Sequence, residues 1–157
     1  MTTTLGLKLS RRSIAAVVVS DFEIVFEDMR HVPIKADRMD DTIRRYLTQL
    51  FQQFNLSAIA YYAPSTGQSM AQRLVQVLED EARRAELSIQ RLNKADVFSG
   101  FSIVPIDTRA KLREQVARFW PVVAMDKTGK VTPRQIVLAE AAAVALLGQV
   151  WTELPPP

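Results

Sequence analysis

Residues 4–20, TLGLKLSRRSIAAVVVS, decide how this chain is read. Leu5, Leu7 and Leu9 alternate with Gly6 and Lys8, so residues 4–9 form a strand with the leucines on one face and Gly6 and Lys8 on the other. Residues 13–20 are a nearly unbroken run of small and β-branched apolar side chains, the composition of a strand covered on both faces. Ser10-Arg11-Arg12 joins the two as a turn.

Working outward, Ser20-Asp21 makes a second turn, and a third strand spans about 23–32, ending at Pro33. Three strands with short turns predict an antiparallel meander. Met39, Ile43, Tyr46, Leu47, Leu50, Phe51 and Phe54 then recur at helical spacing, and Asp37 or Asp40 is placed to cap a helix over about 39–54. Residues 57–63 read as a short buried strand, broken by Pro64-Ser65-Thr66-Gly67. Ser69 and Gln72 open a helix running to about 86, with Leu74, Val75, Leu78 and Ala82 as its apolar stripe, and 88–92 form a fifth strand. Residues 93–107 are expected to be irregular. Thr108 caps a helix ending near Trp120-Pro121, and 124–131 form a polar loop. Thr132, Pro133 and Gln135 combine a cap, a proline at the first helical position and a capping box, opening a last helix that runs to about Trp151. The order is β-β-β-α-β-α-β-α-α.

The chain has 157 residues, 48% hydrophobic and 24% charged, which fits one globular domain with a substantial core. We expect that domain to span 1–154, with Pro155-Pro156-Pro157 a disordered tail. A net charge of +3 permits nucleic-acid binding without demanding it. The absence of cysteine excludes disulfides and thiolate metal sites, and a cytoplasmic location is the simple expectation. The amino terminus carries no signal-peptide pattern. The Ala-rich stretch 136–151 is too short to span a bilayer and contains Glu140, so it reads as a core helix and no membrane association is expected.

The opening hairpin resembles that of ribonuclease-H-like proteins, whose pattern is roughly LGIDPGxxxIAVAVxD. The element order agrees along the whole chain, and the opening is similar to that of the Holliday-junction resolvases (RuvC-like domains) and their ribosomal-RNA-processing relatives. The resemblance implies an α/β fold with a five-stranded mixed sheet flanked by helices. It also implies a nuclease site in which three or four carboxylates hold two Mg²⁺ or Mn²⁺ ions for in-line phosphoryl displacement. Those carboxylates come from strand one, the end of strand four and the last helix. In this sequence the strand-one position is Lys8, the strand-four position falls on Ala60 or Tyr61, and the family's helical aspartate matches Glu140. These four are degenerate active-site positions, with one carboxylate left. A Lys8–Glu140 ion pair is expected if both project into the old metal site. Otherwise Glu140, which shares its helical face with Ile136, Ala143, Val144 and Leu147, sits at the edge of the stripe and meets water.

Other candidates read as structural. His31 is the sole histidine. Asp21, Glu23, Glu27 and Asp28 read as solvated carboxylates, Asp96, Asp107 and Asp126 as loop residues, and residues 64–69 as an ordinary turn rather than an anion site. Arg11, Arg12, Arg109, Lys111 and Arg113 are the candidate nucleic-acid contacts. Phe98, Phe101, Phe119 and Trp120 have three possible uses: stacking on bases, plugging the core, or lining an interface with a second copy or a protein partner. No catalytic residue, cofactor or bound metal is expected. The sequence therefore reads as a catalytically inactive ribonuclease-H-like domain serving as a binding or scaffold module. The alternatives are a metal-dependent nuclease with rearranged ligands and, less economically, a nucleotide-binding domain of the actin and sugar-kinase group, which needs two such domains.

Overall fold

β1 (Thr3–Leu9) is the middle strand of a five-stranded sheet ordered β3-β2-β1-β4-β5. β2 (Ser13–Ser20) and β3 (Glu23–His31) extend it antiparallel on one side, and β4 (Ala58–Tyr62) and β5 (Ser88–Leu92) extend it parallel on the other. The helices are α1 (Ala36–Gln53), α2 (Ser69–Arg84), α3 (Lys94–Gly100), α4 (Arg109–Phe119) and α5 (Pro133–Glu153). This computed structural model describes residues 2–10, 13–32, 36–62, 69–100, 106, 108–120 and 131–153. Among them, no helix is long and apolar enough to cross a membrane.

Strand alternation sorts the core into two layers. Leu5, Leu7, Leu9, Ile14, Ala16, Val18, Ile59 and Tyr61 face α1 and α2. Ala15, Val17, Val19, Ala60 and Tyr62 face α3, α4 and α5. The composition of α5 follows from how closely it lies on the sheet. A Cβ on Gly6 would stand 2.5 Å from the Ala141 carbonyl oxygen and 2.5 Å from the Ala145 nitrogen. One on Gly148 would stand 2.7 Å from the Ala60 Cβ. Gly6 meets α5 at Ala141 and Ala145 and Gly148 meets Ala60, so small residues at these positions let the helix lie against the sheet.

Several boundaries differ from the sequence reading. α1 begins at Ala36, and Asp40 lies inside it, accepting from Arg73 Nε at 2.8 Å. The β2–β3 turn is Asp21-Phe22, both at positive φ (50° and 65°), which suits the twist of a two-residue hairpin. Gln149, buried in α5, holds it: its Oε1 accepts from the Phe22 N–H at 3.0 Å and its Nε2 donates to the Thr2 carbonyl at 2.6 Å. The stretch expected to be irregular contains α3, whose start is closed reciprocally. Asp96 Oδ2 accepts from the Asn93 N–H at 3.0 Å, and Asn93 Oδ1 accepts from the Asp96 N–H at 2.7 Å. Val97 and Phe98 of α3, and Trp120 after α4, are buried in the second core layer. The domain itself thus covers these three apolar side chains. Trp120 Nε1 also donates to the Phe22 carbonyl at 3.3 Å, a core role rather than base stacking. Phe101 lies outside the described residues, as do the side chain of Phe119 and the tail 154–157.

A candidate anion site at the carboxyl ends of the parallel strands

Lys8 and Tyr62 sit side by side near the carboxyl ends of β1 and β4, because the parallel register pairs these two residues. In open α/β sheets this is the end at which ligands are bound. Both side chains point toward α5, where Glu140 lies two turns from the helix start. The Lys8 ammonium stands 3.6 Å from the centre of the Tyr62 ring, a cation–π contact, and 3.7 Å from Glu140 Oε2. Arg109, the first residue of α4, completes the group. Its Nε donates to Glu140 Oε1 at 2.7 Å, and its Nη2 donates to the same oxygen. Thr108 fixes the start of α4 by accepting from the Lys111 N–H at 3.2 Å. A cation in a helix's first turn opposes the helix dipole, and the Glu140 carboxylate offsets that cost.

Burial grades the cluster. The Glu140 side chain is 2% exposed and that of Lys8 is 11%, whereas Arg109 is 53% exposed and reaches water. Desolvation holds the Lys8 pKa below its ordinary value, with the Arg109 charge adding to the drop and Glu140 opposing it. The Tyr62 pKa is raised, first by desolvation and then by the Glu140 charge, so Tyr62 is a neutral phenol. The group as a whole carries two cations against one carboxylate. Among the described residues, no three His, Asp or Glu side chains come together to hold a metal ion.

The structure joins Lys8 to Glu140 and adds two residues that the sequence reading placed elsewhere or passed over. On β4 it is Tyr62 that the structure sets beside Lys8, while Ala60 and Tyr61 stand away from it. Ala60 is buried beneath Gly148 of α5. Tyr61 faces the opposite layer, where its hydroxyl donates to Glu79 Oε1 at 2.7 Å. Parity held the clue. Ile59 and Tyr61 are large like the leucine face of β1, whereas Ala58 and Ala60 are small like Gly6, so Tyr62 falls on the Lys8 face. Arg109, read as a nucleic-acid contact, is also the tightest partner of Glu140. Lys111 is exposed and Arg113 half-buried, and both make further interactions. Arg11 and Arg12 lie outside the described residues, as do Asp107, Asp126 and residues 63–68. His31 is exposed at the end of β3. Asp28 accepts from the Tyr46 hydroxyl at 2.9 Å, and Glu27 is partly buried with its pKa raised by desolvation.

No protein-family model matches the chain, and no curated protein matches it by sequence. Solved structures do. Thermus thermophilus RuvC superposes with a TM-score of 0.76 at 12% identity, covering 93% of this chain and 92% of RuvC. The same protein in complex with a Holliday-junction substrate superposes with a TM-score of 0.73 at 13% identity, covering 94% and 92%. This is a ribonuclease-H-like fold of the RuvC type. The yeast mitochondrial Holliday-junction resolvase Ydc2 gives 0.64 at 12% identity, covering 95% of this chain and 81% of Ydc2. Near-complete coverage in both directions means that this RuvC-type domain carries the fold's elements without a large insertion. The likeness is one of fold, and the side chains at the carboxyl ends of β1 and β4 are this chain's own.

Proposed function

We propose that this chain is a ribonuclease-H-like domain that binds nucleic acid without cutting it. The carrying observation is the state of Glu140. Among the described residues the one carboxylate at the end of the parallel strands, Glu140, is already neutralised by Lys8 and by the two-pronged contact of Arg109. Two divalent ions need several anionic oxygen ligands close together. Among the described residues a divalent ion here would meet one carboxylate, two cations and a neutral phenol, and these residues do not fit the metals that the resemblance implies. The ammonium of Lys8 cannot move aside, since it is buried between the Tyr62 ring and Glu140. The likeness to RuvC, solved with a Holliday junction, supports nucleic acid as the ligand class, and the net charge of +3 is compatible with it.

The test uses fluorescent four-way junction, duplex and single-stranded DNA incubated with the protein and Mg²⁺ or Mn²⁺, read for both cleavage and retardation. The expected result is retardation that weakens as salt rises and no cleavage above a protein-free control. Cleavage abolished by a chelator would overturn the reading in favour of a nuclease with displaced ligands. Absence of retardation on all three substrates would remove nucleic acid as the ligand.

A further inference from the structure

We propose that Lys8 and Arg109 form a phosphate-binding site in which the chain's own cations take the place of divalent metal ions. The inference rests on the reading above and names the contact through which a nucleic acid would be held. Three observations carry it. Among the described residues the group is unbalanced, two cations against one buried carboxylate, and an entering oxyanion would bring it to neutrality. Its donors are only partly used. Arg109 commits Nε and Nη2 to Glu140 Oε1, and no acceptor among the described residues takes an Nη1 hydrogen. The Tyr62 hydroxyl likewise makes no hydrogen bond among the described residues, and its ring packs on the Lys8 ammonium. The group is also graded in exposure, with Lys8 nearly buried and Arg109 half exposed, so an anion reaches Arg109 first and then the field of Lys8.

Glu140 has a defined part in this arrangement. It does not touch the anion. By holding one edge of the guanidinium it leaves the other edge fixed outward, and a guanidinium so fixed suits the paired oxygens of a phosphate. Burial, with the Arg109 charge adding to it, holds the Lys8 pKa below its ordinary value, and a bound phosphate would raise it.

The first arm of the test titrates inorganic phosphate into ¹⁵N- and ¹³C-labelled protein, with chloride at matched ionic strength as control. The NMR signals of the Lys8 side chain and the Arg109 guanidinium should shift saturably with phosphate only, and the Lys8 pKa should rise. The second arm measures binding of four-way junction DNA by anisotropy for the wild type, Arg109→Gln and, as a remote exposed control, Arg84→Gln. Arg109→Gln should weaken binding about tenfold, the loss of one charge-assisted hydrogen-bond pair. It should also reduce the slope of log K against log salt by about 1. Arg84→Gln should stay close to wild type. Since Arg109 is half exposed and Glu140 keeps Lys8, the variant should fold, and the phosphate arm needs no variant at all. Saturable phosphate shifts with no effect of Arg109→Gln on DNA binding would support a site for a small phosphate ligand and count against its use on nucleic acid. An absence of phosphate shifts, together with unchanged DNA affinity in Arg109→Gln, would overturn the site even where the wild type binds DNA well.

Discussion

Replacing Glu140 by glutamine tests the charge arrangement directly. The side chain is 2% exposed and balances two cations of unequal burial. On loss of the carboxylate charge, Arg109 can turn out into water at little cost, because half of it is already there. Lys8 cannot, and the penalty falls on its ammonium. Breaking a buried ion pair by removing one partner costs about 3–5 kcal/mol. Retention of the Tyr62 ring over Lys8, and of one acceptor oxygen on the glutamine, places this case near the lower end, about 3 kcal/mol. At roughly 3 °C per kcal/mol for a domain of this size, the melting temperature should fall about 9 °C. The pH dependence carries a sign. Lys8 has a folded-state pKa below its ordinary 10.5, so the unfolded chain binds more protons in the window below 10.5, and stability rises with pH there. Losing Glu140 removes the influence that raises this pKa and widens the window downward. The deficit of Glu140→Gln should therefore shrink as pH rises toward 10.5, as Lys8 escapes by losing its proton. Thermal and urea unfolding followed by circular dichroism from pH 6 to 10 measures both effects. The double variant Lys8→Met/Glu140→Gln should recover most of the loss, because no unpaired buried charge remains. A melting temperature unchanged by Glu140→Gln, or a strictly additive double variant, would show that the two groups are solvated and independent.

Other expectations follow from packing and ionisation. Gly6→Ala should cost more than about 3 kcal/mol, since the new methyl meets backbone atoms of α5 that cannot give way, and urea unfolding measures it. Gly148→Ala meets the side chains of Ala60 and Thr4 instead and should cost less, about 1–3 kcal/mol. The phenol of Tyr61 is buried and donates to Glu79, which pushes its pKa well above its ordinary 10.0. Its contribution is therefore complete below pH 10 and is lost as pH rises further, so Tyr61→Phe should flatten the alkaline loss of stability. An alkaline limb identical to wild type would refute that assignment.

The elements of this fold are written locally. The leucine alternation of β1, the β-branched run of β2, the Thr108 cap and the Thr132-Pro133 helix start are short-range signals, and each element formed where its signal stands. In the structure Pro133 is the first residue of α5 and the Thr132 hydroxyl donates to the Gln135 side chain. The short helix α3 was missed because its reciprocal Asn93–Asp96 closure is brief and its two apolar anchors, Val97 and Phe98, read equally well as loop residues. Lys8 and Glu140 were visible as charges set in apolar surroundings. Their company was not. Whether Ala60, Tyr61 or Tyr62 stands beside Lys8 depends on the register of β4 against β1, and a shift of one residue exchanges the faces of the strand. That register is fixed by contacts between segments far apart in the chain, where Gly6, Ala60 and Gly148 let α5 lie against the sheet. Arg109 reaches Glu140, 31 positions further along the chain, because α4 packs on α5 through Leu112 and Val116. Local sequence was enough for most of the elements and for setting Lys8 on the face of β1 opposite its leucines. Only the tertiary structure decided the unbalanced group of two cations, one carboxylate and one phenol, because its geometry depends on register and helix packing, which no local stretch encodes.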